Sequence, residues 1–209
     1  MDGFNWDAVY HSDLQGLYSL WIVPLAFLAW RAASGPDESR AEVPEASRFV
    51  ARLTLFFAVA TMIDPLSTGP LLKTEALRDT HATTLIPLFF VLLGDFRVLL
   101  LAIGVARIDR SLGENMRWAA GVTLIVPIVA GGLNALCGLI FDRVHPQILW
   151  MLYELGFFLL CLFLARRWVP QSLAQAPRKA AYTPSILAFG TAYYALGLVA
   201  DLFIVVGEL

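Results

Sequence analysis

Charge is the scarce quantity in this chain. Only 15% of its 209 residues are Asp, Glu, Lys or Arg, against about 25% in soluble domains, while 58% are hydrophobic. With a mean hydropathy of +0.68, the composition excludes an ordinary soluble globular class and predicts an integral membrane protein. Cysteine is scarce too. Cys137 and Cys161 both lie in apolar runs, which argues against a disulfide framework and leaves two small buried hydrophobes. The formal net charge is only -2, so nothing suggests a nucleic-acid partner. The first residues, MDGFNWDAVYHSDLQ, are acidic where a cleavable signal peptide would be basic.

Long apolar runs are what the chain has in plenty. A span needs about 20 apolar residues, and six stretches qualify: Gly16–Ala33, Phe49–Leu72, Thr83–Ala106, Trp118–Phe141, Gln147–Ala165 and Pro184–Val206. Short polar connections separate them, with turn signals such as SGPDES and DRVHPQ. No soluble domain is left over, so residues 1–209 read as one integral membrane domain, an all-α polytopic bundle of six transmembrane helices.

Orientation follows from the basic residues, which concentrate on the cytoplasmic side. Loops one, three and five with their helix ends hold eleven of them: Arg31, Arg40, Arg48, Arg52, Arg107, Arg110, Arg117, Arg166, Arg167, Arg178 and Lys179. The opposite side holds three, Lys73, Arg78 and Arg143. Both termini are therefore expected outside, in the cytoplasmic (inner) membrane of a bacterium. The two halves also echo one another. Trp21-Ile-Val-Pro24 in span one matches Leu124-Ile-Val-Pro127 in span four, and Met62-Ile-Asp64 and Leu93-Gly-Asp95 pair with Leu152-Tyr-Glu154 and Val199-Ala-Asp201. The echo reads either as an inverted three-helix repeat, which in transporters places polar sites at the repeat interface, or as coincidence among short apolar words.

Against this background five charged residues stand deep inside the apolar runs: Asp64, Asp95, Arg97, Glu154 and Asp201. An ionisable side chain at mid-membrane costs roughly 2.5–3.5 kcal/mol on insertion scales and marks a polar site or pathway. Four acids and one arginine cannot all be ionised and paired. Asp64 lies eight residues from the outer end of its span, on the order of 12 Å in. Glu154 and Asn134 lie seven residues in and Asp201 five, whereas Asp95 is near mid-membrane. The three histidines, His11, His81 and His145, fall on the same outer side. A site open to the outside is the resulting expectation.

Spacing adds detail. Thr61, Asp64, Ser67 and Thr68 share one helical face, and Pro65 removes a backbone donor beside Asp64, giving either a broken, cavity-lining helix or a plain kink. Gly190, Tyr194, Gly197 and Asp201 form one stripe in span six, where the glycines admit a neighbouring helix and the other two offer it polar groups. Gly131, Asn134 and Gly138 form a similar small face in span four, read as a packing seam. Arg97 stands two residues from Asp95, on a different helical face, so its partner is expected on another helix. No histidine stands three or four residues from another, so a zinc site made with Asp64 or Asp201 would need long-range assembly. No cofactor is implied.

The stretch Asp64-Pro-Leu-Ser-Thr-Gly-Pro-Leu-Leu72, followed by Leu92-Leu-Gly-Asp95 and a leucine-rich run, and later by Val199-Ala-Asp201, resembles the lysoplasmalogenase family of bacterial membrane proteins. Departures are Asp64 in place of the family lysine, Ala200 in place of a serine, and six spans where the family usually has about eight. The resemblance implies hydrolysis of the vinyl-ether bond of lysoplasmalogens, with Asp95 and Asp201 as paired acids, one protonating the ether and the other activating water. Asp64, Ser67, Arg97, Asn134, Glu154 and Tyr194 would form the surrounding polar network. Membrane lipids and a small-molecule substrate are the expected partners. Two other readings remain open: a proton-coupled transporter or channel for a small solute or cation, and an accessory subunit of a membrane complex.

Overall fold

Prolines and caps decide where these helices begin, widen and stop. The computed structural model describes residues 21–33, 45–72, 74–77, 80–141, 143–175 and 182–207. The regular elements among them are all helical: α1 (Ile22–Ala33), α2 (Glu45–Leu66), α3 (Ala82–Ala106), α4 (Leu112–Ile140), α5 (Gln147–Phe163) and α6 (Thr183–Gly207). Five helical stretches are long and apolar enough to cross a membrane, and α1 is a shorter apolar helix. The protein is an all-helical polytopic membrane protein. His11 and the first five residues of the first expected span lie outside the described residues.

The helix limits differ from the expected spans in ways that have local causes. α4 starts six residues earlier than the apolar run that announced it, because Ser111 caps it: the Ser111 side chain accepts a 3.2 Å hydrogen bond from the Glu114 amide. Ser111-Leu-Gly-Glu114 has the residue pattern of a capping box. α2 does not break at Pro65; it stays helical to Leu66 and then widens into a π-helical turn, Ser67–Leu71. Pro70 lies inside that turn and has no N–H to give to the helical ladder. α5 behaves alike, running through a π-helical turn, Leu164–Trp168, into a last helical stretch, Val169–Gln175. Pro170 lies two residues beyond this turn and cannot donate to the Arg166 carbonyl.

The chain groups into two compact units, Met1–Leu93 and Gly94–Leu209. In the first, the Trp21 indole donates to the Met62 carbonyl at 3.0 Å, which fastens the start of α1 to α2. In the second, α6 carries a buried row that steps by four and three: Thr183, Leu187, Gly190, Tyr194. This is the coiled-coil period, continued by the half-buried Gly197 and Asp201. Both α3 and α5 lie against that row. Thr183, Gly190 and Tyr194 meet Ala102, Val98 and Asp95 of α3 in turn, so α3 and α6 are antiparallel. Cys161, Phe157, Glu154 and Gln147 of α5 meet Gly190, Tyr194, Gly197 and Asp201, again antiparallel. α4 packs on the other side of α5, where Val126 abuts Gly156 and the Trp118 and Trp168 rings stack at 6.0 Å.

Much of the described surface of α4 is apolar. Leu124, Ile125, Ile128, Val129, Leu136 and Leu139 of α4 are exposed, as lipid-facing side chains must be when the surrounding solvent is hydrocarbon. Of the small face of α4 expected to be a packing seam, Asn134 is half-buried and follows the buried row Thr123, Val126 and Ala130, whereas the two glycines are open. A Cβ added at Gly131 or Gly138 would meet no atom within 4 Å, and both residues are exposed. The reason lies on α5, which takes its contact with α4 from Val126 against Gly156.

Candidate functional site

Three acids of the second unit, Asp95, Glu154 and Asp201, sit at successive levels of one seam. At the deepest level Asp95 is buried and accepts from two tyrosines on different helices. The Tyr194 hydroxyl of α6 donates to Oδ1 at 2.7 Å, and the Tyr153 hydroxyl of α5 donates to Oδ2. Aromatic contacts hold both donors in place. Phe157 stacks on Tyr194 with centroids 4.9 Å apart, and Tyr153 meets Phe157 edge-on at 4.9 Å. Asp95 therefore joins three helices through one carboxyl group, with hydrogen bonds to an ionisable acceptor of the stronger kind. Arg97, two residues further along α3, is half-buried and close enough for its charge to act on Asp95.

One level out, Glu154 of α5 lies directly against α6. A Cβ added at Gly197 would stand 2.7 Å from Glu154 Cδ, so the Glu154 carboxyl group lies against the α6 backbone and would have to shift to admit a side chain there. Among the described residues, the buried Glu154 Oε2 has no hydrogen-bond partner. The Asp201 and Asp95 carboxyl groups both lie near enough to Glu154 to interact with it electrostatically. At the next level Asp201 Oδ1 accepts from the Gln147 side-chain amide at 2.6 Å, whereas Oδ2 is buried without a partner. Asp201 lies seven residues beyond Tyr194 on α6, about 10 Å further along the helix. His145 sits at the same end, where its Nδ1 accepts from the Gln147 amide at 3.1 Å and so caps the first turn of α5.

The arginine-rich helix ends of this unit, at Arg107, Arg117, Arg166 and Arg167, lie at the opposite end from Asp201 and Gln147. Glu154 and Asp201 thus lie in the half away from the positive end.

The remaining expected residues fall elsewhere. Asp64 and Ser67 belong to the first unit. Asp64 accepts from Thr68 on its own helix, Oδ1 at 3.3 Å and the backbone carbonyl at 2.9 Å, and Thr61 turns its hydroxyl back to the Phe57 carbonyl at 2.8 Å. Ser67 opens the π-helical turn and is half-buried. Asn134 is half-buried on α4 with Oδ1 unpartnered. Among the described residues, no three His, Cys, Asp or Glu side chains converge closely enough to hold a metal ion. Two participants went unread in the sequence, Tyr153 and Gln147. Tyr153 precedes Glu154 directly, and Gln147 precedes Glu154 by one heptad, so the same three-and-four spacing that singled out the α6 stripe would have found Gln147 on the facing helix.

Taken together, helices, spans and seam define a polytopic α-helical membrane protein with ionisable side chains gathered between α3, α5 and α6. Compared with family models, curated proteins and solved structures, the chain matches none.

Proposed function

We propose that the protein couples proton binding inside the membrane to passage of a small solute or cation, with Glu154 and Asp201 as the proton-exchanging pair and Asp95 as a fixed anchor. One observation carries this reading. Glu154 Oε2 and Asp201 Oδ2 are buried without partners on facing helices, while both oxygens of Asp95 are taken by tyrosine hydroxyls. An ionised carboxylate in apolar surroundings without a donor is costly, and two neighbouring carboxyl groups do not readily both carry charge. Protonation of one of them removes the cost, and acid chains within spans serve as proton relays. Gln147 orients Asp201 through Oδ1 and leaves Oδ2 to exchange. The test is the full chain in liposomes with a trapped pH-sensitive dye and an imposed pH gradient. Wild type should dissipate the gradient in the presence of a transported solute or cation and Glu154→Gln should not. Equal rates for folded wild type, Glu154→Gln and protein-free liposomes would end this reading.

The resemblance to lysoplasmalogenases supports a second reading, acid–base hydrolysis of membrane lysolipids. What favours it is that Asp95 and Asp201 border the same α6 row. In that case Glu154 is better disposed than Asp95 to work with Asp201, because both Asp95 oxygens are engaged. Mass spectrometry of lysoplasmalogen incubated with wild type, Glu154→Gln and Asp201→Asn separates the readings: aldehyde release abolished by both substitutions would favour the hydrolase.

A further inference from the structure

We infer that the arginine-rich end of the second unit binds the phosphate headgroup of an anionic phospholipid, around the stacked Trp118 and Trp168 rings. The inference does not depend on what the carboxylates do. Trp118 and Trp168, from α4 and the far end of α5, stack with centroids 6.0 Å apart and planes 17° apart. The Arg107 guanidinium lies 5.5 Å from the centre of the Trp118 ring, and the Asn115 amide fixes the chain there by donating to the Arg107 carbonyl at 3.1 Å. Arg117 and Arg167 each precede one of the two tryptophans, Arg166 comes next, and the Arg110 amide donates to the Arg107 carbonyl. Arg110, Arg117, Arg166 and Arg167 are exposed.

Charge and chemistry point to one ligand. Among the described residues this end holds five arginines against two acids, Asp109 and Glu114, a local excess of three positive charges. All five are arginine, whose planar fork matches phosphate oxygens in a bidentate way that an ammonium group does not. The π-helical turn Leu164–Trp168 widens the helix where Arg166 and Arg167 stand, and such turns recur at functional positions. A lipid rather than a soluble phosphate fits because tryptophans and arginines together mark the membrane–water boundary. Exposed apolar side chains, Leu124 and Ile125 on α4 and Leu159 and Phe163 on α5, begin within a few turns and offer a path for acyl chains. Basic surfaces between spans on the cytoplasmic side collect anionic headgroups in this way.

The experiment is native mass spectrometry of the full chain in detergent, titrated with phosphatidylglycerol, phosphatidylcholine or inorganic phosphate. Phosphatidylglycerol should be retained in preference to phosphatidylcholine, and phosphate should not displace it. The double variant Arg166→Gln/Arg167→Gln should lose affinity by about fivefold per arginine, while Arg143→Gln, at the other end, should not change it. Trp118→Leu keeps every charge, and so the topology, and should weaken retention severalfold. Equal retention of both lipids, displacement by phosphate, equal loss from Arg143→Gln, or full retention by Trp118→Leu would each overturn the inference.

Discussion

Asp64 on α2 and Asp95 on α3 start from the same sequence context, one carboxyl group within a run of aliphatic and aromatic residues, and finish with different kinds of partner. Asp64 is half-buried and takes its hydrogen bonds from Thr68, one turn along its own helix. Asp95 is 7% exposed and takes both of its bonds from tyrosines on other helices. A partner one turn away is present as soon as the helix forms, so it contributes little that depends on tertiary structure. A partner on another helix exists only when the helices assemble. The contrast therefore predicts which acid the assembled protein needs, and it can be tested by substitution.

Asp95→Ala should have the largest effect. It leaves the Tyr153 and Tyr194 hydroxyls buried without an acceptor, at about 1–3 kcal/mol for each orphaned group. Measured interhelical hydrogen bonds in membranes average only about 0.6 kcal/mol, because the unassembled helices find other partners. A total loss of about 2–4 kcal/mol follows, read as a shift in the fraction of sodium dodecyl sulfate that unfolds the protein in mixed micelles. Tyr194→Phe removes one of the two bonds and should cost less than half as much. If Asp95→Ala left the midpoint unchanged, the distinction between local and interhelical partners would collapse.

Gly197→Ala comes next. Its added Cβ would stand 2.7 Å from Glu154 Cδ, the far end of a flexible side chain that can move aside, so the cost should fall at the low end of the about 1–3 kcal/mol of overpacking. The contact is with a side chain, so the damage should be rescued by truncating that side chain. Gly197→Ala combined with Glu154→Ala should be less destabilised than the sum of the two single changes, by about 1 kcal/mol or more, as expected for residues in contact. Strict additivity would mean that α5 and α6 do not approach at this level.

The stripe Gly190, Tyr194, Gly197 and Asp201 was legible because small and polar residues at three-and-four spacing stand out in an apolar helix, and the structure sets it against α5 and α3. The helices themselves were legible for the same reason, since hydrocarbon demands unbroken apolar length. What could not be read was which face of α4 meets a neighbour. Gly131 and Gly138 are as small as the glycines of α6, yet the buried row of α4 runs through Thr123, Val126 and Ala130, with Asn134 at its half-buried end. Lipid and a neighbouring helix are equally apolar, so composition alone does not separate them. The early start of α4 was missed because the apolar run begins only at Trp118, whereas a cap works through Ser111, a polar residue outside it. Ser111→Ala tests that point and should cost about 1 kcal/mol, no more than either interhelical change, by the same unfolding measurement.

Asp64→Asn should have the smallest effect of all. Asparagine keeps the Oδ1 that accepts from Thr68 and the backbone carbonyl that accepts from the same hydroxyl, and Thr68 follows on the same helix however the rest of the protein is arranged. Removal of the charge also lowers the cost of holding this position within an apolar span. The hydrogen bonds stay and the loss of charge is at most mildly favourable, so stability should stay within about 0.5 kcal/mol of wild type, the range of substitutions that break no buried interaction. Thr68→Val in the same assay should be equally mild, and the two together should add. A loss near that of Asp95→Ala would instead mean that Asp64 depends on a group beyond its own helix. The rule separating the two acids would then have to be sought in depth within the span rather than in the location of the partner.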